Sequence, residues 1–202
     1  MKLSTGMNKQ SYNKIAQEWA AIRNNAFVSK LVIDFAQKVN RHGHILDIGC
    51  GTGSPLAQFL SDNHFFVTGI DASDRMIEIA QSAHVRNAEF SSCDFFDFES
   101  PRQFDGVLAW DSFFHFPKDR QHLIYPKASR FLKPGGYLLF THGNGNDEHV
   151  DSMMGESFYY SCLPKANVYQ LLVEHGFSVE YMHKDYLENG THRSLVVLAR
   201  KK

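Results

Sequence analysis

The sequence predicts an α/β domain built on a mostly parallel sheet that ends in an antiparallel hairpin. Two observations carry that class. From residue 44 onward, short apolar runs of strand length alternate with helical patterns, as in a parallel sheet with crossover helices. The last two β-rich runs instead flank Glu188-Asn189-Gly190, a turn that joins antiparallel strands.

A chain of 202 residues fits one domain spanning 1–202, and a 43% hydrophobic fraction can fill its core, which excludes wholesale disorder. Lys and Arg number 21 against 22 Asp and Glu, so no surplus charge draws the chain to nucleic acid or a membrane surface, and neither is an expected partner. Cys50, Cys93 and Cys162 lack the pairing of a disulfide framework or a zinc site, so the expectation is a cytoplasmic protein without a metal. Residues Met1 to Gln10 have no apolar signal-peptide core, and no run approaches the ~18 apolar residues of a membrane span.

In chain order, residues 1–42 read as a helical cap. Within Asn8 to Lys38, Ile15, Ala16 and Trp19 sit at helical spacing, and Phe27, Leu31 and Phe35 recur every four residues. Strand His44 to Ile48, helix Pro55 to Ser61, strand Phe65 to Ile70 and helix Asp74 to Ala83 follow, then strands Glu89 to Ser92 and Phe104 to Trp110. A helix from Lys118 to Leu132 leads through the turn Pro134-Gly135-Gly136 into strand Tyr137 to His142. Right-handed crossovers follow from this alternation. Residues 143–164 are rich in glycine and acid without a period, too long for an ordinary connection, and read as a lid loop. Helix Lys165 to Glu174 stops at Gly176, and strands Phe177 to Tyr186 and Arg193 to Arg200 form the closing hairpin.

The most informative stretch is Ile45-Leu46-Asp47-Ile48-Gly49-Cys50-Gly51-Thr52-Gly53-Ser54-Pro55, an apolar strand followed by alternating glycines. Such a turn brings backbone close to a ligand; Ser54 suits a helix cap and Pro55 the first helical position, which would aim helix-terminal amides at the cleft. Asp71 ends the second strand 22 residues after Gly49, near the ~20 at which an acid meets a ribose diol. Ser73 suits the cap of the following helix, which leaves Asp71 for a ligand. The third glycine falls at 53, which breaks the dinucleotide fingerprint and weighs against a nicotinamide oxidoreductase. A binding or regulatory module without turnover is the other competing class.

Asp47-Ile48-Gly49-Cys50-Gly51-Thr52-Gly53 resembles the first motif of the class I S-adenosylmethionine-dependent methyltransferases. Ile70-Asp71-Ala72-Ser73 with Met76 is similar to their second motif, Cys93-Asp94-Phe95 to the third, Phe104-Asp105-Gly106-Val107 leading to Trp110 to the fourth, and Phe131 to Gly136 to the segment before the fifth strand. The resemblance implies a Rossmann-like three-layer sandwich with seven strands, S-adenosylmethionine as cofactor and S-adenosylhomocysteine as product. It also implies that Gly49 and Gly51 line the methionine portion, Asp71 binds the ribose hydroxyls and Asp94 meets the adenine amino group. Phe95 would offer its amide to the ring, Ala72 and Met76 would pack on adenine, the backbone near Trp110 would accept from the methionine ammonium, and Asp47 would support the loop. Tyr12 with Trp19 resembles an amino-terminal helix whose tyrosine closes over the cofactor, with Asn13 where the family has an acid.

Methyl transfer from a sulfonium is an in-line displacement in which the protein aligns the partners and excludes water. A general base matters when the acceptor loses a proton, and the candidates beside strands four and five are Asp111, His115 and His142, with His115 favoured. Each histidine has the alternative of supporting its loop through hydrogen bonds. Phe113, Phe114, Tyr159 and Tyr160 are the expected walls of a small-molecule acceptor pocket. The segment Trp110-Asp111-Ser112-Phe113 differs from the Asn-Pro-Pro-Tyr type that methylates nucleic-acid bases, and it agrees with a small-molecule acceptor.

Overall fold

In the computed structural model, which describes residues 3–202, α1 (Leu3–Arg23) and α2 (Lys30–Lys38) precede the sheet. Met1 and Lys2, the start of the polar stretch read from the sequence, lie outside the described residues. The Ser29 hydroxyl caps α2 by accepting from the Leu31 amide, and Leu31, Val32, Phe35 and Ala36 form its buried stripe. No helix among the described residues is long and apolar enough to cross a membrane.

The elements that follow are β1 (His44–Ile48), α3 (Leu56–Asp62), β2 (Phe66–Asp71), α4 (Asp74–Ser82), β3 (Ala88–Ser92) and β4 (Phe104–Ala109). After them come α5 (Ile124–Phe131), β5 (Leu132–His142), β6 (Glu148–Met153), β7 (Glu156–Ser161), α6 (Lys165–Glu174), β8 (Phe177–Glu188) and β9 (Thr191–Lys201). Seven strands form one sheet in the order β3-β2-β1-β4-β5-β9-β8. The first five are mutually parallel, and β9 runs antiparallel to both β5 and β8, as the sequence predicts.

Strand side chains alternate between two apolar layers. Ile45, Leu108 and Leu139 pack with α2 and α3, while Leu46, Ile48, Val107 and Phe140 pack on the opposite face with α5 and α6. Fully buried Phe35 anchors α2, a burial that stabilises by about 1.5–3 kcal/mol. It lies over Gly106, where a Cβ would sit 2.7 Å from the ring.

Three expectations need correction. The helix expected over 118–132 begins as a 3-10 turn, Lys118–Leu123, and becomes α-helical only at Ile124. Pro126 then falls in the first turn, where its missing amide costs least. The Pro134 turn is absorbed into β5 as an irregularity, where the β4 pairing shifts between Phe104 and Gly106. The lid loop of 143–164 is largely a hairpin, β6 paired with β7 from Glu148 opposite Ser161 to Met153 opposite Glu156. Met154 and Gly155 both have positive φ (53° and 80°), the two-residue turn that matches strand twist; methionine is an uncommon residue there, so the turn left no signal.

Neighbours of β1 lead in opposite directions, to β2 on one side and β4 on the other. A cleft opens at such a switch point beyond the carboxyl ends of the strands, and α1 and the β6–β7 hairpin meet across it.

Candidate active site

The cleft is built from the turns that leave β1, β2 and β4. Gly49 has φ +73°, and a Cβ there would stand 2.5 Å from the Ser112 Cβ, so glycine is required twice over. The Ser112 hydroxyl donates to the Ile48 carbonyl at 2.7 Å and ties the turns after β1 and β4 together. Asp71 does the same for β1 and β2: its carboxylate accepts from the Gly51 amide at 3.0 Å and the Ser73 amide at 2.8 Å. Burial pushes the Asp71 carboxyl above its ordinary range, against the pull of those two bonds. Asp47, 2% exposed, is pushed up to about 7 by burial and then by the Asp71 charge, with Arg23 opposing.

The expected capping of α3 is not what forms. Pro55 occupies the cap position without a side-chain bond, and the Gly53 carbonyl closes the first turn by accepting from Ala57 at 2.9 Å. The amides of Gly49 and Cys50 donate to the Ile70 carbonyl and that of Gly53 to Cys50, so they hold the loop and do not face the cleft.

The cleft is partly open to solvent, and the space between its walls, open solvent included, is about 1050 Å³. Tyr12, Asp47, Gly49, Gly51, Asp71, Ala72, Met76, Asp94, Phe95 and Trp110 all line it, as does His115. Asp94 turns one carboxylate oxygen back onto the Phe96 amide at 2.8 Å.

His115 sits on the short 3-10 turn Phe113–His115. Its Nδ1 lies 2.9 Å from the Tyr159 carbonyl and its Nε2 lies 2.9 Å from the Tyr12 hydroxyl. A carbonyl only accepts, so Nδ1 carries the proton and Nε2 accepts from Tyr12. Burial lowers the imidazole to about 4, so the ring is neutral at physiological pH. Asn8 braces the arrangement: its Nδ2 donates to the Tyr159 carbonyl at 3.0 Å and its Oδ1 accepts from the Tyr159 amide at 2.8 Å.

Five expected residues stand elsewhere. Phe113 is fully buried against Phe95, Phe116 and Phe140, because the 3-10 turn that points His115 at the cleft points Phe113 into the core. Tyr159 is turned away, its hydroxyl donating to Glu148 at 2.5 Å and accepting from the Lys118 amide. Phe114 and Tyr160 pack on the outer side of His115, with Tyr160 stacked on His149, and do not line the cleft. His142, 2% exposed, has its ring nitrogens against the Gln121 side-chain oxygen at 2.7 Å and the Gly143 carbonyl at 2.8 Å. It buttresses the core, and burial lowers it to about 4.

Sequence reasoning missed Asn8 and Arg23, which line the cleft with Tyr12 and Trp19. Positions 8, 12, 19 and 23 fall on one stripe of a helix, and that spacing was the available signal. Arg23 lies over the Trp19 ring at 5.8 Å and interacts electrostatically with Asp47 and Asp111. Thr52 was also passed over; it lines the cleft and its buried hydroxyl lacks a partner among the described residues.

A methyltransferase-domain family model matches residues 45–136, from β1 through the irregular start of β5. Residues 45–136 thus form a methyltransferase domain, in agreement with the class I S-adenosylmethionine-dependent motifs of the sequence. Among similar methyltransferases, a ubiquinone biosynthesis O-methyltransferase of Coxiella burnetii is 29% identical over 128 residues, 60% of this chain and 53% of that protein. An O-methyltransferase of Aspergillus nomiae is 30% identical over 150 residues, 69% of this chain and 66% of that protein. The chain thus spans about half the length of the first of these relatives and about two thirds of the second. In fold it is similar to magnesium protoporphyrin IX methyltransferase of Synechocystis, solved with S-adenosylmethionine bound, with a TM-score of 0.73, 18% identity and coverage of 96% of this chain and 95% of that one. Nothing in the methyltransferase resemblance signalled Arg193, which pairs with Asp111 at the edge of the cleft.

Proposed function

We propose that this methyltransferase moves a methyl group from S-adenosylmethionine to a small-molecule acceptor. The observation that carries the reading is the meeting, on one cleft at the sheet's switch point, of the Asp71 carboxylate with the His115–Tyr12 pair.

The residues present fit the cofactor. A carboxylate offers about four lone-pair sites, and backbone amides occupy two on Asp71, so two remain for a ribose diol. The unpartnered Thr52 hydroxyl and the Arg23 guanidinium are further groups left for a ligand, Arg23 matching the carboxylate of the methionine end. Carbonyl oxygen near Trp110 suits the ammonium, Gly49 and Gly51 leave room beside it, and Asp94, Phe95, Ala72 and Met76 suit the adenine. Asp47 supports the loop from beneath.

When bound, S-adenosylmethionine supplies a methyl group already activated by the sulfonium charge. The protein's part is to hold the acceptor, keep water out and take up a proton. Asn8, Tyr12 and Trp19 cover the cleft from α1. For a hydroxyl or amine acceptor, the Tyr12 oxygen takes the acceptor's proton while its own proton moves to His115 Nε2, over the existing 2.9 Å contact. Phe116 gives the acceptor an aromatic face. The O-methyltransferase names of the relatives and the near-neutral net charge support a small acceptor with an O–H group.

The test is incubation of the purified protein with S-adenosylmethionine and a panel of phenols, aromatic acids and amines, read by mass spectrometry for an added methyl group. Turnover on members of the panel is the expected result. Methylation of only a protein or RNA fraction would sink the small-molecule reading.

A further inference from the structure

Arg193, on β9, reaches the cleft's wall without lining the cleft. Its Nε donates to Asp111 Oδ1 and its Nη2 to Oδ2, both at 2.8 Å, a two-pronged pairing that engages both carboxylate oxygens. Its guanidinium lies 4.6 Å over the Trp110 ring. The Arg193 side chain is only 9% exposed, and Nη1 is buried without a partner among the described residues. A buried guanidinium with one nitrogen unpaired is a poor device for stability alone.

Asp111 is held from other sides as well. Its amide donates to the Thr141 hydroxyl at 2.8 Å, that hydroxyl donates back to Oδ1 at 3.3 Å, and its backbone has φ +59°. A non-glycine residue in this conformation persists when its surroundings over-determine it.

Arg23 shares the cleft with Asp111. Its guanidinium lies over the Trp19 ring and makes no hydrogen bond or ion pair among the described residues. Burial lowers its guanidinium, Asp111 is the strongest charge acting against that lowering, and Arg193 adds to it. Because both line the same cleft, Asp111 is the anion to which Arg23 would turn if Arg193 were absent, since an unpaired, partly buried carboxylate recruits a cation within reach.

We propose that Arg193 is a positioning residue that saturates Asp111 and so keeps Arg23 free to pair with the carboxylate of the cofactor's methionine end. The inference rests on the reading of the cleft as an S-adenosylmethionine site. Without Arg193, Arg23 folds onto Asp111 and the carboxylate seat closes, while the ribose and adenine contacts stand.

Two ligands separate this from a general structural role. S-adenosylhomocysteine carries the amino-acid end, and 5′-methylthioadenosine lacks it. Calorimetric titration of Arg193→Gln is expected to show S-adenosylhomocysteine weakened about tenfold or more, with 5′-methylthioadenosine within about twofold of wild type. Adding Asp111→Asn to Arg193→Gln removes the anion that captures Arg23, and most of the lost affinity returns. Equal weakening of both ligands, unchanged S-adenosylhomocysteine binding or no recovery in the double variant would each overturn the proposal. Should Arg193→Gln not fold, Arg193→Lys keeps the charge and loses the fork; a loss confined to S-adenosylhomocysteine supports the role, and a loss shared by both ligands or none overturns it. If the wild-type protein binds neither ligand, the site reading itself has failed, an outcome distinct from the others.

Discussion

Replacing Asp71 with alanine tests the ribose contact through numbers the structure supplies. The Gly51 amide at 3.0 Å and the Ser73 amide at 2.8 Å take one carboxylate oxygen each, which leaves further lone pairs on a group that lines the cleft. A hydrogen bond to a charged group contributes about 1.5–3 kcal/mol net, so losing one such contact to the diol weakens binding about 10- to 150-fold. The same change orphans the two amides. That turn is only partly buried and water reaches it, so the stability cost falls below the ~1–3 kcal/mol of a fully buried orphan. Calorimetric titration with S-adenosylhomocysteine at pH 8, with circular dichroism to check the fold, measures the effect. Because burial raises the Asp71 carboxyl, wild-type affinity also falls as pH is lowered through that raised value, and the alanine variant lacks this dependence. A folded variant that binds within about threefold of wild type would refute the assignment.

Three further outcomes follow from the same geometry. His115→Gln is expected to slow methyl transfer by about 10²–10⁴ while S-adenosylhomocysteine affinity holds, and the wild-type rate has its acid limb near the lowered value of about 4, so a limb near the ordinary 6.5 contradicts a buried base. Gly49→Ala drives a Cβ to 2.5 Å from Ser112 at φ +73°, costing at least about 1 kcal/mol; the thermal midpoint falls by at least about 2–4 °C, and an unchanged midpoint contradicts the close approach. Asp47 has a folded value of about 7 against an ordinary 3.8, so the native state keeps a proton the unfolded chain has lost, and its contribution to stability declines as pH rises from about 4 to 7. Asp47→Asn removes that decline and raises the midpoint at pH 8, which thermal melts across the pH range measure; a wild-type-to-variant difference independent of pH contradicts it.

Local signals made most of the sheet legible. Ile45, Leu46 and Ile48 are apolar because β1 is covered on both faces, and Gly49 follows because the turns after β1 and β4 touch at Gly49 and Ser112. Asp71 was readable from its spacing, since strand and helix lengths fix where the second strand ends. What escaped depends on contacts distant in sequence. Arg23 and Asn8 reach the cleft only because α1 folds back over the sheet, and Asn8 bonds Tyr159, 151 residues away. The stretch Phe113-Phe114-His115 shows the limit of composition: one 3-10 turn sends Phe113 to the core, His115 to the cleft and Phe114 outward, a split that aromatic content does not encode. The β6–β7 hairpin was hidden because its turn uses Met154 where asparagine or aspartate would have announced it.

Parallel calorimetric titration of the protein with S-adenosylmethionine, S-adenosylhomocysteine and NAD decides whether this cleft takes S-adenosylmethionine. Saturable, single-site binding of the two sulfur nucleosides and no heat from NAD are expected. Binding of NAD alone, or silence from both sulfur nucleosides, would contradict the assignment.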